Sequence, residues 1–125
     1  MKKKLNKILI IENEPATRRI LSDKLKLENF LISESSNGLD GLEKALTEHP
    51  DLIILDLFMP KMKGMEVLKN LHADDWGKLV PIIILTNQND DPHILEAIKD
   101  KNCEYLLKTS HNLASIVKKI KHKLK

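Results

Sequence analysis

Cysteine is nearly absent from this chain: Cys103 is the single one in 125 residues. No intramolecular disulfide can form, and a reducing, cytoplasmic setting is expected. Aromatic residues make up only 3%, which leaves the core to Ile, Leu and Val. No apolar stretch approaches membrane length and none follows the basic start, so neither a membrane span nor a secretory leader is expected. The histidines at positions 49, 72, 93, 111 and 122 lack ligand spacing, which argues against a zinc site. Repeats, low-complexity stretches and linkers are also missing, so residues 1–125 are expected to form one domain.

What is present reads as a folded globular chain, with 42% apolar and 31% charged residues. The net charge of +3 is concentrated at the ends, where four lysines lie in the first seven residues and five in the last eight. Basic ends of this kind are solvated tails or helix faces, and no nucleic-acid binding by this domain alone is expected.

Between the ends, strand-like and helix-like segments alternate. Short apolar runs at 8–11, 30–33, 52–55, 82–85 and 105–107 read as strands. Helical spacing follows each of them. Pro15 opens a helix that carries Ile20, Leu21 and Leu25 and runs to Asn29; Leu39, Leu42, Ala45 and Leu46 stripe a second. Met65, Leu68 and Leu71 define a third, Ile94, Leu95 and Ile98 a short fourth, and Leu113, Ile116, Val117, Ile120 and Leu124 a fifth. This alternation predicts an α/β fold, a single doubly wound parallel sheet of five strands with helices on both faces.

The chemistry lies at the carboxyl ends of those strands, the rim where ligands bind in open α/β sheets. Asp56 ends the apolar run of the third strand. Glu12 and Asn13 follow the first strand, Thr86 the fourth and Lys108 the fifth. Acidic and amide oxygens at one rim suit a hard divalent cation such as Mg²⁺, while a hydroxyl and an ammonium suit phosphate oxygens. The set describes phosphoryl transfer with Asp56 as nucleophile.

These segments, Ile8-Leu-Ile-Ile-Glu12-Asn13-Glu14-Pro15, Asp56-Leu-Phe-Met-Pro60 with Gly64, Pro81-Ile-Ile-Ile-Leu-Thr86 and Tyr105-Leu-Leu-Lys108, resemble the receiver domain of two-component response regulators in order and spacing. The likeness covers essentially the whole chain. It implies a flavodoxin-like receiver fold of strand order 2-1-3-4-5. It also implies a phosphorelay switch, not an enzyme in the ordinary sense, whose own chemistry is limited to self-phosphorylation from a donor and slow self-dephosphorylation. A histidine kinase or phosphotransfer protein would supply the phosphoryl group to Asp56. Glu12, Asn13, Asp56 and the backbone carbonyl of Phe58 would hold Mg²⁺. Thr86 and Tyr105 would act as switch residues, and Lys108 would contact the phosphoryl group. The output would be a changed surface on the fourth helix, fifth strand and fifth helix, a face also suited to a homodimer; the output partner has no signature in the sequence.

Several residues depart from that pattern. Asn13 stands where a metal-binding aspartate is usual, so Mg²⁺ affinity is expected to be weakened. Asn87 replaces a small residue beside the phosphoryl site, and Thr109 replaces a proline, which excludes a cis X-Pro bond there. Asn102 and Cys103 replace a common Gly-Ala pair. The alternative is therefore a pseudo-receiver, a protein-interaction module independent of phosphorylation because Asn13 and Asn87 impair the pocket. Other readings fit less well. No phosphate-cradling loop follows the first strand, against flavodoxin-type cofactor binding, and Phe58 stands where a haloacid-dehalogenase-type phosphatase needs a second aspartate. Taken singly, Asp56 is compatible with a turn cap, Tyr105 with a half-buried strand aromatic, Cys103 with a small buried hydrophobe, and Met59, Met62 and Met65 with core filling.

Overall fold

In the computed structural model, residues 5–57, 61–86, 103–107 and 112–125 are described, with Thr86 and Leu107 described by their backbone. Five strands form one parallel sheet: β1 (Lys7–Ile11), β2 (Leu31–Ser35), β3 (Leu52–Asp56), β4 (Ile82–Thr86) and β5 (Cys103–Leu107). Their order is β2-β1-β3-β4-β5, as the resemblance implied. Four helices are described, α1 (Pro15–Leu27), α2 (Gly38–Glu48), α3 (Gly64–His72) and a C-terminal helix (Leu113–Lys123). The helix expected around Ile94 to Ile98 lies outside the described residues.

Both sheet faces are covered, and the strand period of two sorts the apolar residues between them. Leu9, Ile11, Ile53, Leu55, Ile82 and Ile84 face α2 and α3, where Leu42, Ala45, Val67, Leu68 and Leu71 meet them. Ile8, Ile10, Leu52, Ile54, Ile83 and Leu85 face α1 and the C-terminal helix through Leu21, Leu25, Ile116, Val117 and Ile120. β3 is buried along its whole length. That explains why its sequence is an unbroken apolar run and not an alternating one.

Helix ends follow their local chemistry. Pro15 opens α1 at its first turn. At the other end the Phe30 N–H donates to the Leu25 carbonyl at 3.1 Å and the Asn29 N–H to that of Lys26 at 3.0 Å. Asn29 takes φ 69°, which completes a Schellman closure with Phe30 and Leu25 in the same apolar cluster. The helix thus ends at Leu27, two residues before the expected stop, and β2 begins one residue later than expected and runs on to Ser35. β2 is at one edge of the sheet and is only partly buried, so its apolar signal is weak. Asn37 caps α2 by accepting from the Asp40 N–H at 2.8 Å.

Four carboxylates are held below their ordinary values by local donors. Asp40 accepts from the Ser35 hydroxyl and lies near Lys44. Glu48 is bonded by Lys7, Glu28 by Lys121, and Glu104 by Lys119 with Lys123 also nearby. For Glu104 the ammonium of Lys119, at 2.8 Å, is the main cause and burial opposes it. Because the folded value lies below the ordinary 4.5, the stabilisation is complete above pH 4.5. It is lost as pH falls through the folded value. Glu104→Gln is expected to flatten the acid limb of a pH–stability curve on the order of 0.5 kcal/mol, the scale of a partly exposed pair. Urea midpoints measured between pH 3 and pH 7 check this, and an unchanged slope would contradict it.

Candidate functional site

The register of the parallel sheet brings the backbones of Glu12, Asp56 and Thr86 to one rim. Ile11 pairs with Leu55, so Glu12 and Asp56 each follow a paired position on adjacent strands, which run about 4.8 Å apart. Asp56 pairs with Leu85, which precedes Thr86. Thr86 in turn pairs with Leu107, the residue before Lys108. Backbone positions of Glu12, Asp56 and Thr86 therefore lie in that order across the carboxyl end of β1, β3 and β4. Lys108, Phe58 and Asn87 lie outside the described residues, as do Thr109 and Met59.

Two of the carboxylates at this rim are buried, Glu12 at 2% exposure and Asp56 at 7%. Asn13 is exposed. Glu12 is anchored through its backbone on both sides: its N–H donates to the Ser35 carbonyl at 3.0 Å, and its carbonyl accepts from Nη1 of Arg18 at 2.8 Å. Arg18 also lies 3.4 Å from Oε1 of Glu34, whose other oxygen accepts from the buried Ser22 hydroxyl at 3.3 Å. Lys44 donates to the Glu34 carbonyl. These residues around Glu12 carry no motif and went unnoticed in the sequence; they become neighbours only because β1 and β2 pair beneath α1.

The loop after Asp56 is closed by glycine. The Gly64 N–H donates to the Leu57 carbonyl at 3.1 Å, and α3 begins there. A Cβ on Gly64 would lie 2.5 Å from Cα of Leu57 and 2.6 Å from the Asp56 carbonyl oxygen. A second close approach sets the loop against α2, since a Cβ on Gly38 would lie 2.0 Å from the Met62 carbonyl oxygen.

Two carboxylates buried side by side are costly unless positive charge offsets them. Carboxylate, amide and carbonyl oxygens are the donors that Mg²⁺ prefers, so Glu12, Asp56 and Asn13 suit it chemically. Among the described residues no group of three or more His, Cys, Asp or Glu side chains could hold a metal.

Away from the rim, Tyr105 is half-buried and packs against the α2–α3 side of the core. Met62 and Met65 pack against the same cluster, in keeping with core filling. Cys103 is half-buried and packs against the same cluster, and its Sγ lies 3.7 Å from Nε2 of His72. Trp76 stacks on His49 with ring centroids 4.3 Å apart, a contact that spacing along the chain does not reveal. Among the described residues no helix is long and apolar enough to cross a membrane.

Comparison with known proteins agrees with this geometry. Residues 8–121 match the family model described as response regulator receiver domain. The chain is 34% identical over 102 residues to the transcriptional regulatory protein ResD of Bacillus subtilis, covering 82% of this chain and 41% of that protein. It is 38% identical over 86 residues to the response regulator ArlR of Staphylococcus aureus, covering 69% of this chain and 38% of that one. The chain thus spans about two fifths of the length of these relatives. Among solved structures, the chemotaxis protein CheY4 of Vibrio cholerae superposes with a TM-score of 0.86 at 25% identity, over 97% of this chain and 100% of that one. A DNA-binding response regulator of the LuxR family from Staphylococcus aureus gives 0.84 at 26% identity, over 97% of this chain and 100% of that one. Matched along nearly all its length, with the receiver strand order and the acidic residues of the strand-end motifs at one rim, the chain belongs to the response regulator receiver domain family, switch domains of two-component phosphorelay signalling.

Proposed function

We propose that residues 1–125 act as one phosphoacceptor receiver in which Asp56 takes a phosphoryl group from a histidine kinase or phosphotransfer protein. The observation that carries this reading is the pair of buried carboxylates, Glu12 and Asp56, at the ends of adjacent strands. A carboxylate oxygen of Asp56 attacks phosphorus in line, the bond to the donor nitrogen breaks, and the donor histidine leaves as neutral imidazole after taking up a proton. Glu12, Asn13, Asp56 and the Phe58 carbonyl would hold Mg²⁺, which would supply positive charge to offset that on the phosphoryl oxygens. Lys108 and the Thr86 hydroxyl bind those oxygens. Movement of Thr86 toward the phosphoryl group leaves room for Tyr105 to turn inward, and the surface built on β5 and its flanking helices changes with it. The phosphate favours the active arrangement only by contacts that differ between the two states. A reducing cytoplasmic setting suits this chemistry and the single cysteine.

Incubation with Mg²⁺ and acetyl phosphate is expected to add one phosphoryl mass, and beryllofluoride to shift the amide resonances of Thr86 and Tyr105. Asn13→Asp restores a full carboxylate and is expected to tighten Mg²⁺ binding about tenfold, the lower end of what one metal-site group contributes. An unchanged titration would refute the role given to position 13. A second reading, the phosphorylation-independent pseudo-receiver, is favoured by the exposed amide of Asn13 in place of a third acid. It stands if the wild-type chain shows neither labelling nor shifts at saturating Mg²⁺.

A further inference from the structure

We infer that Arg18 is a positioning residue for the metal-binding turn, acting on Glu12 through its backbone. The inference rests on the phosphoacceptor reading above and extends it to a side chain one helical turn into α1.

Glu12 stands just beyond the last residue of β1, where the sheet no longer dictates its conformation. Its N–H is still held by β2, through the Ser35 carbonyl at 3.0 Å. Its carbonyl points away from that ladder and receives the Arg18 guanidinium at 2.8 Å. A charged donor makes this bond stronger than an amide–carbonyl pair. The guanidinium is itself fixed, because its Nε lies 3.4 Å from Oε1 of Glu34 and Glu34 is bonded by the Ser22 hydroxyl at 3.3 Å. Ser22 is 2% exposed and sits one turn after Arg18 on the same helix. The chain of contacts from Ser22 through Glu34 and Arg18 to Glu12 thus joins α1, β2 and the turn after β1.

The consequence is directional. With the 11–12 peptide held through the Glu12 N–H and the 12–13 peptide through the Glu12 carbonyl, the backbone is fixed on both sides of the Glu12 Cα, and the Glu12 carboxylate and the Asn13 amide start from one arrangement when a cation arrives. Without Arg18 the 12–13 peptide is free to rotate, and metal binding has to order it first, which lowers affinity. A purely structural role for Arg18 would instead alter overall stability and leave the affinity of the folded protein unchanged.

The test is an NMR titration of the full chain with MgCl₂, following the Glu12 and Asn13 amides, for wild type, Arg18→Met and Arg18→Lys. Arg18→Met is expected to raise the Mg²⁺ Kd about tenfold, the effect of losing a group that orients a metal ligand. It is also expected to shift the Glu12 and Asn13 amides in metal-free buffer. Arg18→Lys keeps one cationic donor and is expected to recover part of the affinity. It also serves as the comparison if Arg18→Met does not fold. Equal Kd values in wild type and the folded variants overturn the positioning role and leave the phosphoacceptor reading intact. No Mg²⁺ binding by wild type overturns both.

Discussion

Asp56→Asn is expected to abolish phosphoryl labelling altogether and, separately, to reduce the stabilisation of the fold by Mg²⁺. The side chain keeps its size, so the buried end of β3 stays packed, with Leu55 and Leu57 still in the α2–α3 cluster. What changes is charge and nucleophilicity. An amide oxygen cannot form the acyl phosphate, and the rim is left with Glu12 as its one buried carboxylate of the two. For wild type, Mg²⁺ at about 100 times its Kd is expected to raise the unfolding free energy by about 2.7 kcal/mol, the linkage value for one site on the folded state. Thermal or urea unfolding with MgCl₂ against EDTA measures this, alongside intact mass after acetyl phosphate. A variant that still gains the phosphoryl mass would move the acceptor to another residue. One that still gains the full stabilisation would remove Asp56 from the metal site.

The second large effect is expected at Gly64, which carries no functional group at all. An added methyl meets two backbone atoms, Cα of Leu57 at 2.5 Å and the Asp56 carbonyl oxygen at 2.6 Å. Neither can move away without opening the Gly64 to Leu57 hydrogen bond that starts α3. Gly64→Ala is therefore expected to cost about 1–3 kcal/mol, the range for overpacking a rigid site. It is also expected to slow labelling by on the order of tenfold or more, since one of the displaced atoms is the carbonyl oxygen of the acceptor residue itself. Gly41→Ala is the informative comparison. The three atoms nearest its methyl would all belong to the Ile11 side chain, the closest at 2.7 Å, so it is expected to lower the urea midpoint while leaving the labelling rate near that of wild type. Equal labelling rates in the two variants would show that the loop after β3 is not held by the Gly64 contact.

Much of this architecture was legible in the chain because burial on both faces leaves a plain signature. β1, β3 and β4 are unbroken apolar runs, and each was found within a residue of its observed start. Asp56 stood out for the same reason, as the acid closing the run that the structure buries most completely. β2 was harder to place. As an edge strand it is half exposed and mixes Ser33, Glu34 and Ser35 with its apolar residues, so its last two residues lay beyond the apolar run at 30–33. The closure of α1 was also hidden, because Asn29 ends that helix through a left-handed backbone conformation and not through glycine.

The sequence by itself determined the period of each element, the composition of both core faces and the kinds of atoms at the strand ends. Those are local properties, readable from residue type and spacing. Only the tertiary structure decided which of those atoms meet. Pairing of Ile11 with Leu55 sets Glu12 beside Asp56, pairing of β1 with β2 under α1 brings Arg18 and Glu34 to Glu12, and the close approach at Gly64 fixes the turn that leaves the acceptor. Each depends on contacts between segments far apart in the chain, which no periodicity records and which form only when the sheet closes around its core.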